Sequence, residues 1–206
     1  MVAPGLELDD SAFSPAWPSF LPTEIEICVT NPEDTVFTSP NKVLVNGKTV
    51  CFFKLYQPGD TNRALGELGN YKRITASILD PAVRICRLFS LIKDEENQPI
   101  GLLLTYIACD FLTLTCAAEA GTPDSIKQKW VDQVTAILTQ LHKAGIVWGD
   151  AKPDNVLIDK NVPADSSPAS LHFFFLALPA SGTELCHVHF STSFSFGRCD
   201  EAIQSP

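Results

Sequence analysis

An α+β fold, with a small hairpin-built sheet followed by a helical part, is what this sequence predicts, on three observations. An Asn46–Gly47 pair separates two apolar runs, residues 43–45 and 50–56. A second pair of apolar runs, residues 82–92 and 99–108, is joined by the polar stretch 93–98. Residues 122–145 carry apolar side chains at helical spacing and end on a glycine.

The first hairpin rests on turn chemistry. Asn and Gly both tolerate the positive φ that a type I′ turn demands, so Asn-Gly between apolar runs is a strong short-range hairpin signal. In the second strand of that hairpin Val50, Phe52, Lys54 and Tyr56 alternate onto one face, which sets Lys54 among large apolar groups. Asp60 or Thr61 can cap a helix reaching to about residue 77, with Leu65, Leu68, Tyr71, Ile74 and Ile78 as its apolar stripe. Glu67 stands four residues before Tyr71 and seven before Ile74, on that same side. Thr122 and Pro123 then open the longest helix, Thr122 as cap and Pro123 at the first helical position. Its stripe is Ile126, Trp130, Val134, Ile137 and Leu141, and Gly145 stops it. A loop and a short strand at residues 156–158 follow. Residues 1–40 read as a loosely ordered lead-in with one strand candidate at residues 24–29.

The composition narrows the function. With 45% hydrophobic and 19% charged residues, the chain belongs with folded rather than disordered sequences. A formal charge of −9, with no Lys/Arg cluster, argues against a nucleic-acid partner. The seven cysteines are odd in number and include no C-x-x-C pair, so reduced thiols are expected rather than a disulfide framework. The start of the chain lacks the basic-then-apolar pattern of a signal peptide, and the longest apolar stretch, residues 99–109, is too short to span a bilayer. A cytosolic or nuclear setting, without a membrane, is the expectation. From residue 161 the texture shifts to Ser, Ala, Pro and Phe, and residues 161–206 read as an atypical tail. Within it His187 and His189 fall on opposite faces of any strand, which argues against a shared metal ion with Cys186 and Cys199.

The chemistry concentrates in residues 141–159, LHKAGIVWGDAKPDNVLID, where a helix ends, a polar loop follows and an apolar strand closes the unit. Phosphoryl transfer asks the protein mainly for positioning and charge neutralisation. It uses a carboxylate to orient the attacking hydroxyl, a cation on the transferred phosphoryl group and an oxygen donor for Mg²⁺. Asp150, Lys152 and Asn155 offer those three in chain order. This stretch resembles the catalytic loop of eukaryotic protein kinases, H-R-D-L-K-P-E-N-V-L-I-D, with Trp148 and Gly149 in place of the His and Arg. Upstream, Lys54 in Cys–Phe–Phe–Lys resembles the phosphate-binding lysine of that family. Glu67 matches the helix glutamate that pairs with it, and Tyr106 and Ile107 fall where the adenine-receiving hinge would be. The resemblance covers roughly residues 43–159 and is nearest to the small kinase-like proteins of filamentous fungi, where a Gly before the catalytic Asp is familiar.

The resemblance implies a two-lobed protein-kinase-like fold. An antiparallel sheet and one helix would form the N-lobe, about residues 41–108, and residues 109–160 would begin a helical C-lobe that stays incomplete. It implies ATP and Mg²⁺ as cofactors, a protein substrate phosphorylated on Ser or Thr, catalysis by Asp150, Lys152 and Asn155, metal binding by Asn155, and nucleotide binding by Lys54, Glu67, Tyr106 and Ile107. Three departures bear on activity. No Gly lies between Asn31 and Asn46, where a glycine-rich phosphate loop is expected. Gly149 replaces the Arg that grips a phosphorylated activation loop. No Asp-Phe-Gly follows Asp159; Ser195–Phe–Gly197 offers a hydroxyl where Mg²⁺ takes a carboxylate. These departures put a pseudokinase or inactive fragment beside the active reading. A small-molecule phosphotransferase of the aminoglycoside or choline type is the further alternative, against which Lys152–Pro153 speaks.

Overall fold

The computed structural model describes residues 5–28, 42–80, 83–109, 112–147, 152–159 and 170–173. The fold is α+β. Strands β1 (Ser19–Phe20), β2 (Ile25–Ile27), β3 (Lys42–Val45), β4 (Thr49–Leu55), β5 (Leu88–Lys93) and β6 (Pro99–Thr105) form one sheet in the order β1-β5-β6-β4-β3-β2. Helix α1 (Thr61–Ala76) lies between β4 and β5; α2 (Leu114–Ala117) and α3 (Asp124–Lys143) follow β6. Strands β7 (Val156–Asp159) and β8 (Ser170–Phe173) pair antiparallel in a second, small sheet.

Both hairpins form where the turn chemistry puts them. Asn46 and Gly47 take φ of 49° and 64°, and the Lys48 N–H donates to the Val45 carbonyl at 3.0 Å. Asp94 organises the second turn: its Oδ1 accepts the N–H groups of Glu96 and Gln98 at 3.0 and 2.8 Å. Asn97 there supplies the positive φ of 65°.

Three expectations are corrected. The main sheet is mixed rather than antiparallel, because β1 runs parallel to β5, Ser19 opposite Leu91. Within the lead-in, residues 5–28 supply β1 and β2 and bury Leu6. The buried residues of α1 are Ala64, Glu67, Leu68, Asn70, Tyr71 and Ile74, whereas Leu65 and Ile78 are exposed. Thr122 does not cap α3: its hydroxyl donates to the Ala117 carbonyl at 2.8 Å, and Pro123 holds the cap position with extended ψ. In addition β8, within the stretch read as an atypical tail, pairs with β7.

The sheet curls into a half-barrel, and its two faces carry different cores. Cys51 and Phe53 of β4 join Val43, Val45, Ile92, Ile100 and Leu103 in one cluster. Tyr56, Leu102 and Leu104 join α1 in the other, with Phe52 packed against it. That second cluster continues through Trp130, Val134, Ile137 and Leu141 of α3 to Ile146, Val156 and Ile158. One apolar core therefore underlies both the Lys54 strand and the strand that follows the Lys152–Asn155 turn. The end of α3 is fixed as its glycine predicts. Gly145 adopts φ of 70°, its N–H donates to the His142 carbonyl, and the Ile146 N–H donates to the Leu141 carbonyl, each at 2.9 Å. This is the Schellman arrangement, which satisfies carbonyls the helix leaves orphaned. Among the described residues no helix is long and apolar enough to cross a membrane.

Candidate functional site

Lys54 stands on β4 between Phe52 and Tyr56 of the same face, opposite Leu102 of β6. An ammonium in such a row either snorkels to water or finds an acid. It finds one: Nζ lies 2.7 Å from both carboxylate oxygens of Glu67 on α1. Glu67 is 1% exposed, while the Lys54 side chain keeps 16%. The lysine thus faces inward with two of its three donors on Glu67 and retains one donor toward the accessible side. A charge pair this deep is held by geometry, because breaking it strands an ion where water cannot reach.

The surroundings of Glu67 are more polar than the apolar stripe suggested. The hydroxyls of Tyr56 and Tyr71 are buried without a hydrogen-bond partner among the described residues. Burial, reinforced by the nearby Glu67 carboxylate, holds both phenols well above their ordinary range. Cys86 is buried beside them, its Sγ donating to the Thr105 carbonyl at 3.4 Å, and burial pushes its thiol up to about 12. Cys51 is pushed to about 11 by the same cause. Neither thiol has the depressed value a reactive cysteine needs. Free cysteines are what the described residues contain.

For Glu67 burial raises the carboxyl pKa, and the Lys54 ammonium only partly opposes it. The consequence for stability has a definite sign. A carboxyl whose folded value is raised contributes stability that is fully present below its ordinary value and is lost as pH rises through the raised folded value. The melting temperature is therefore expected to fall as pH rises from the ordinary carboxyl value through the raised folded one, and Glu67→Gln is expected to flatten this part of the profile. A slope identical in Glu67→Gln, followed by thermal melts over the same pH range, would sink the assignment.

The remaining candidates fall into separate groups. Lys152 is exposed and opens the 3₁₀ turn Pro153–Asn155, its carbonyl accepting the Asn155 N–H at 3.0 Å. Asn155 is buried at 4% exposure, directly before β7. That strand is anchored by the Ile158 N–H donating to the Leu112 carbonyl at 3.0 Å. Tyr106 is half-buried, with the Lys42 ammonium 4.8 Å above its ring centroid. Ile107 is buried in the main core, and its carbonyl accepts the Cys109 N–H at 2.9 Å. Asp150, Trp148 and Gly149 lie outside the described residues, as do Cys186, His187, His189 and Cys199. The structure therefore joins Lys54 to Glu67, and Lys152 to Asn155 on one turn.

One residue that shapes the site escaped the sequence reading. Gly101 on β6 sits where an added Cβ would come within 2.5 Å of the Lys54 carbonyl oxygen and 2.6 Å of the Phe53 ring. A glycine isolated inside an apolar strand run is the sequence signal for such a close approach.

Of the residues the resemblance gives to the metal and the reaction, Asn155 and Lys152 are described and Asp150 is not. Mg²⁺ takes carboxylate and phosphate oxygens in octahedral array. Asn155 offers a single amide oxygen, and no group of three or more His, Cys, Asp or Glu side chains gathers among the described residues.

Comparison with known proteins gives partial similarities. No protein-family model matches the chain. The serine/threonine-protein kinase mrck-1 of Caenorhabditis elegans is 33% identical over 75 residues, which is 36% of this chain and 5% of that protein. The serine/threonine-protein kinase MRCK gamma of Homo sapiens is 34% identical over 68 residues, 32% of this chain and 4% of that protein. Its Mus musculus counterpart is 32% identical over 68 residues. The chain thus spans about a twentieth of the length of these relatives. The similarities support, at most, a kinase-like relationship over part of the chain.

Proposed function

We propose that the chain is a kinase-like ATP-binding protein whose nucleotide site is organised by Lys54. The observation that carries this reading is the buried two-pronged pair between Lys54 and Glu67. It aims one ammonium from a strand at one carboxylate on a helix, at the positions where the kinase resemblance expects the phosphate-binding lysine and its partner. In this reading Lys54 neutralises phosphate charge, and Tyr106 and Ile107 border the adenine. Asp150 orients a Ser or Thr hydroxyl of a protein substrate, while Lys152 meets the transferred phosphoryl group. ATP would supply that group; the protein's part is to place it and balance its charge. Asn155 would contribute one oxygen to Mg²⁺.

A second reading, a pseudokinase that binds nucleotide without transferring phosphate, is favoured by two specific observations. Residues 160–206 contain no Asp-Phe-Gly, and residues 31–46 contain no Gly. Thermal shift with Mg²⁺-ATP tests the shared part. Binding at 100-fold over Kd stabilises by about 2.7 kcal/mol, so the melt of the natural chain is expected to rise by several degrees. The melt of Lys54→Ala is expected to stay at its own lower baseline. No shift in the natural chain would defeat both readings; a shift without phosphate transfer to any Ser/Thr peptide would select the second.

A further inference from the structure

We propose that residues 5–20 act as a latch on α1, so that the meeting of Glu67 with Lys54 depends on a segment outside the site. The segment is fastened at both ends to the β5–β6 hairpin. At its start the Gly5 N–H donates to Asp94 Oδ2 at 3.0 Å, and the Leu6 N–H donates to the Pro99 carbonyl at 2.9 Å. At its end the Leu91 N–H donates to the Pro18 carbonyl at 3.1 Å, and β1 pairs with β5. Between these anchors the 3₁₀ turn Asp10–Ala12 lies against α1.

The same span grips α1 through two different interactions. Lys72 of α1 donates its ammonium to the Ser11 carbonyl. Leu6, 6% exposed, is buried in the cluster that holds Leu68 and Tyr71, the residues that follow Glu67 on the buried face of the helix. Leu8, Ala12, Phe13 and Trp17 pack against that cluster from the segment's own side. The start of the latch also fits without slack: a Cβ at Gly5 would come within 2.5 Å of the Gln98 Cβ and 2.7 Å of the Gln98 carbonyl oxygen.

The consequence for the pair follows from its geometry. Two contacts of 2.7 Å from one ammonium require α1 to sit at one depth on the sheet. The side chains that share this cluster from outside the sheet include those of the latch, which is fastened at its ends to the β5–β6 hairpin rather than to α1. Leu6 and Lys72 are therefore positioning residues for Glu67. This holds whatever Lys54 binds, because it concerns the pair alone.

The test compares the full chain with Leu6→Ala, Leu6→Met and Lys72→Met by two readouts. The first is the rate at which acetic anhydride acetylates Lys54, followed by mass spectrometry. The second is hydrogen exchange of the α1 and α3 amides. Leu6→Ala is expected to speed Lys54 acetylation and α1 exchange by at least about tenfold while α3 keeps its protection, as local opening requires. Leu6→Met, which conserves volume, is expected to restore both, and Lys72→Met to give a smaller change of the same kind. Lys54 acetylation and α1 exchange unchanged in all the variants would overturn the latch. So would loss of protection in α3 equal to that in α1, since the segment would then be ordinary core. If Leu6→Ala does not fold, Lys72→Met decides by the same two readouts, because it alters only the helix surface.

Discussion

Lys54→Met is expected to destabilise the chain by about 3–5 kcal/mol, more than any surface substitution on the same strand. The cost does not come from the value of the ion pair itself. It comes from what the substitution leaves behind, a Glu67 carboxylate that is 1% exposed and has lost both 2.7 Å contacts. Glu67 can then shed its charge only by taking up a proton, in a site where burial already raises its pKa. The variant should therefore recover part of its stability as the pH is lowered. Replacing both partners tells these causes apart. Lys54→Met combined with Glu67→Leu removes the stranded charge and fills the space with apolar volume, and is expected to lie well above Lys54→Met alone in urea melts. Equal destabilisation in the single and double variants, at unchanged m-value, would show that the lysine acts through packing and not through its partner.

That pair was legible in the sequence because each half sat on a pattern with a fixed period. Alternation along β4 put Lys54 with Phe52 and Tyr56, and helical spacing put Glu67 with Tyr71 and Ile74. An unsatisfied charge on each apolar face asked for the other. Asn46–Gly47 and Gly145 were legible for a local reason too, since each stands where the chain adopts positive φ. What escaped was whatever the rest of the molecule decides. The two-residue strand β1 lies in a Pro-rich stretch without alternation, and its parallel partner β5 is remote in sequence. No local pattern announces such a pairing. Leu65 and Leu68 fit a helical stripe equally well on paper; the sheet beneath α1 accepts Leu68, along with Ala64, and leaves Leu65 in solvent. Thr122 carries a capping side chain, yet the Ala117 carbonyl lies within its reach and takes its hydroxyl. The loop residues of the candidate site, Lys152 and Asn155, were legible only as a motif, because no periodicity constrains a loop.

Gly101→Ala is expected to disturb the Lys54 strand from behind, at a cost of about 1–3 kcal/mol. The glycine lies on β6 opposite Leu55 of β4 and Ile92 of β5. Between Ile92 and Lys93 the pairing slips, Lys93 meeting Pro99, so that Ile100 is left over. Such an irregularity bends a strand toward its neighbour, and here it brings β6 close to the Lys54 backbone. A methyl group at position 101 would stand 2.5 Å from the Lys54 carbonyl oxygen and 3.2 Å from its carbonyl carbon. Both are backbone atoms, so no side-chain rotation relieves the clash, and the Phe53 ring at 2.6 Å is packed in the second core cluster. The relief that remains is for β4 to move away from β6. That movement would carry Lys54 and weaken its contacts with Glu67. The expected result is a lowered urea midpoint together with faster acetylation of Lys54, while Gly59→Ala, at a position with nothing within 4 Å but φ of +85°, should leave Lys54 acetylation unchanged. A Gly101→Ala protein with Lys54 as protected as in the natural chain would show that the sheet absorbs the methyl group without moving the lysine.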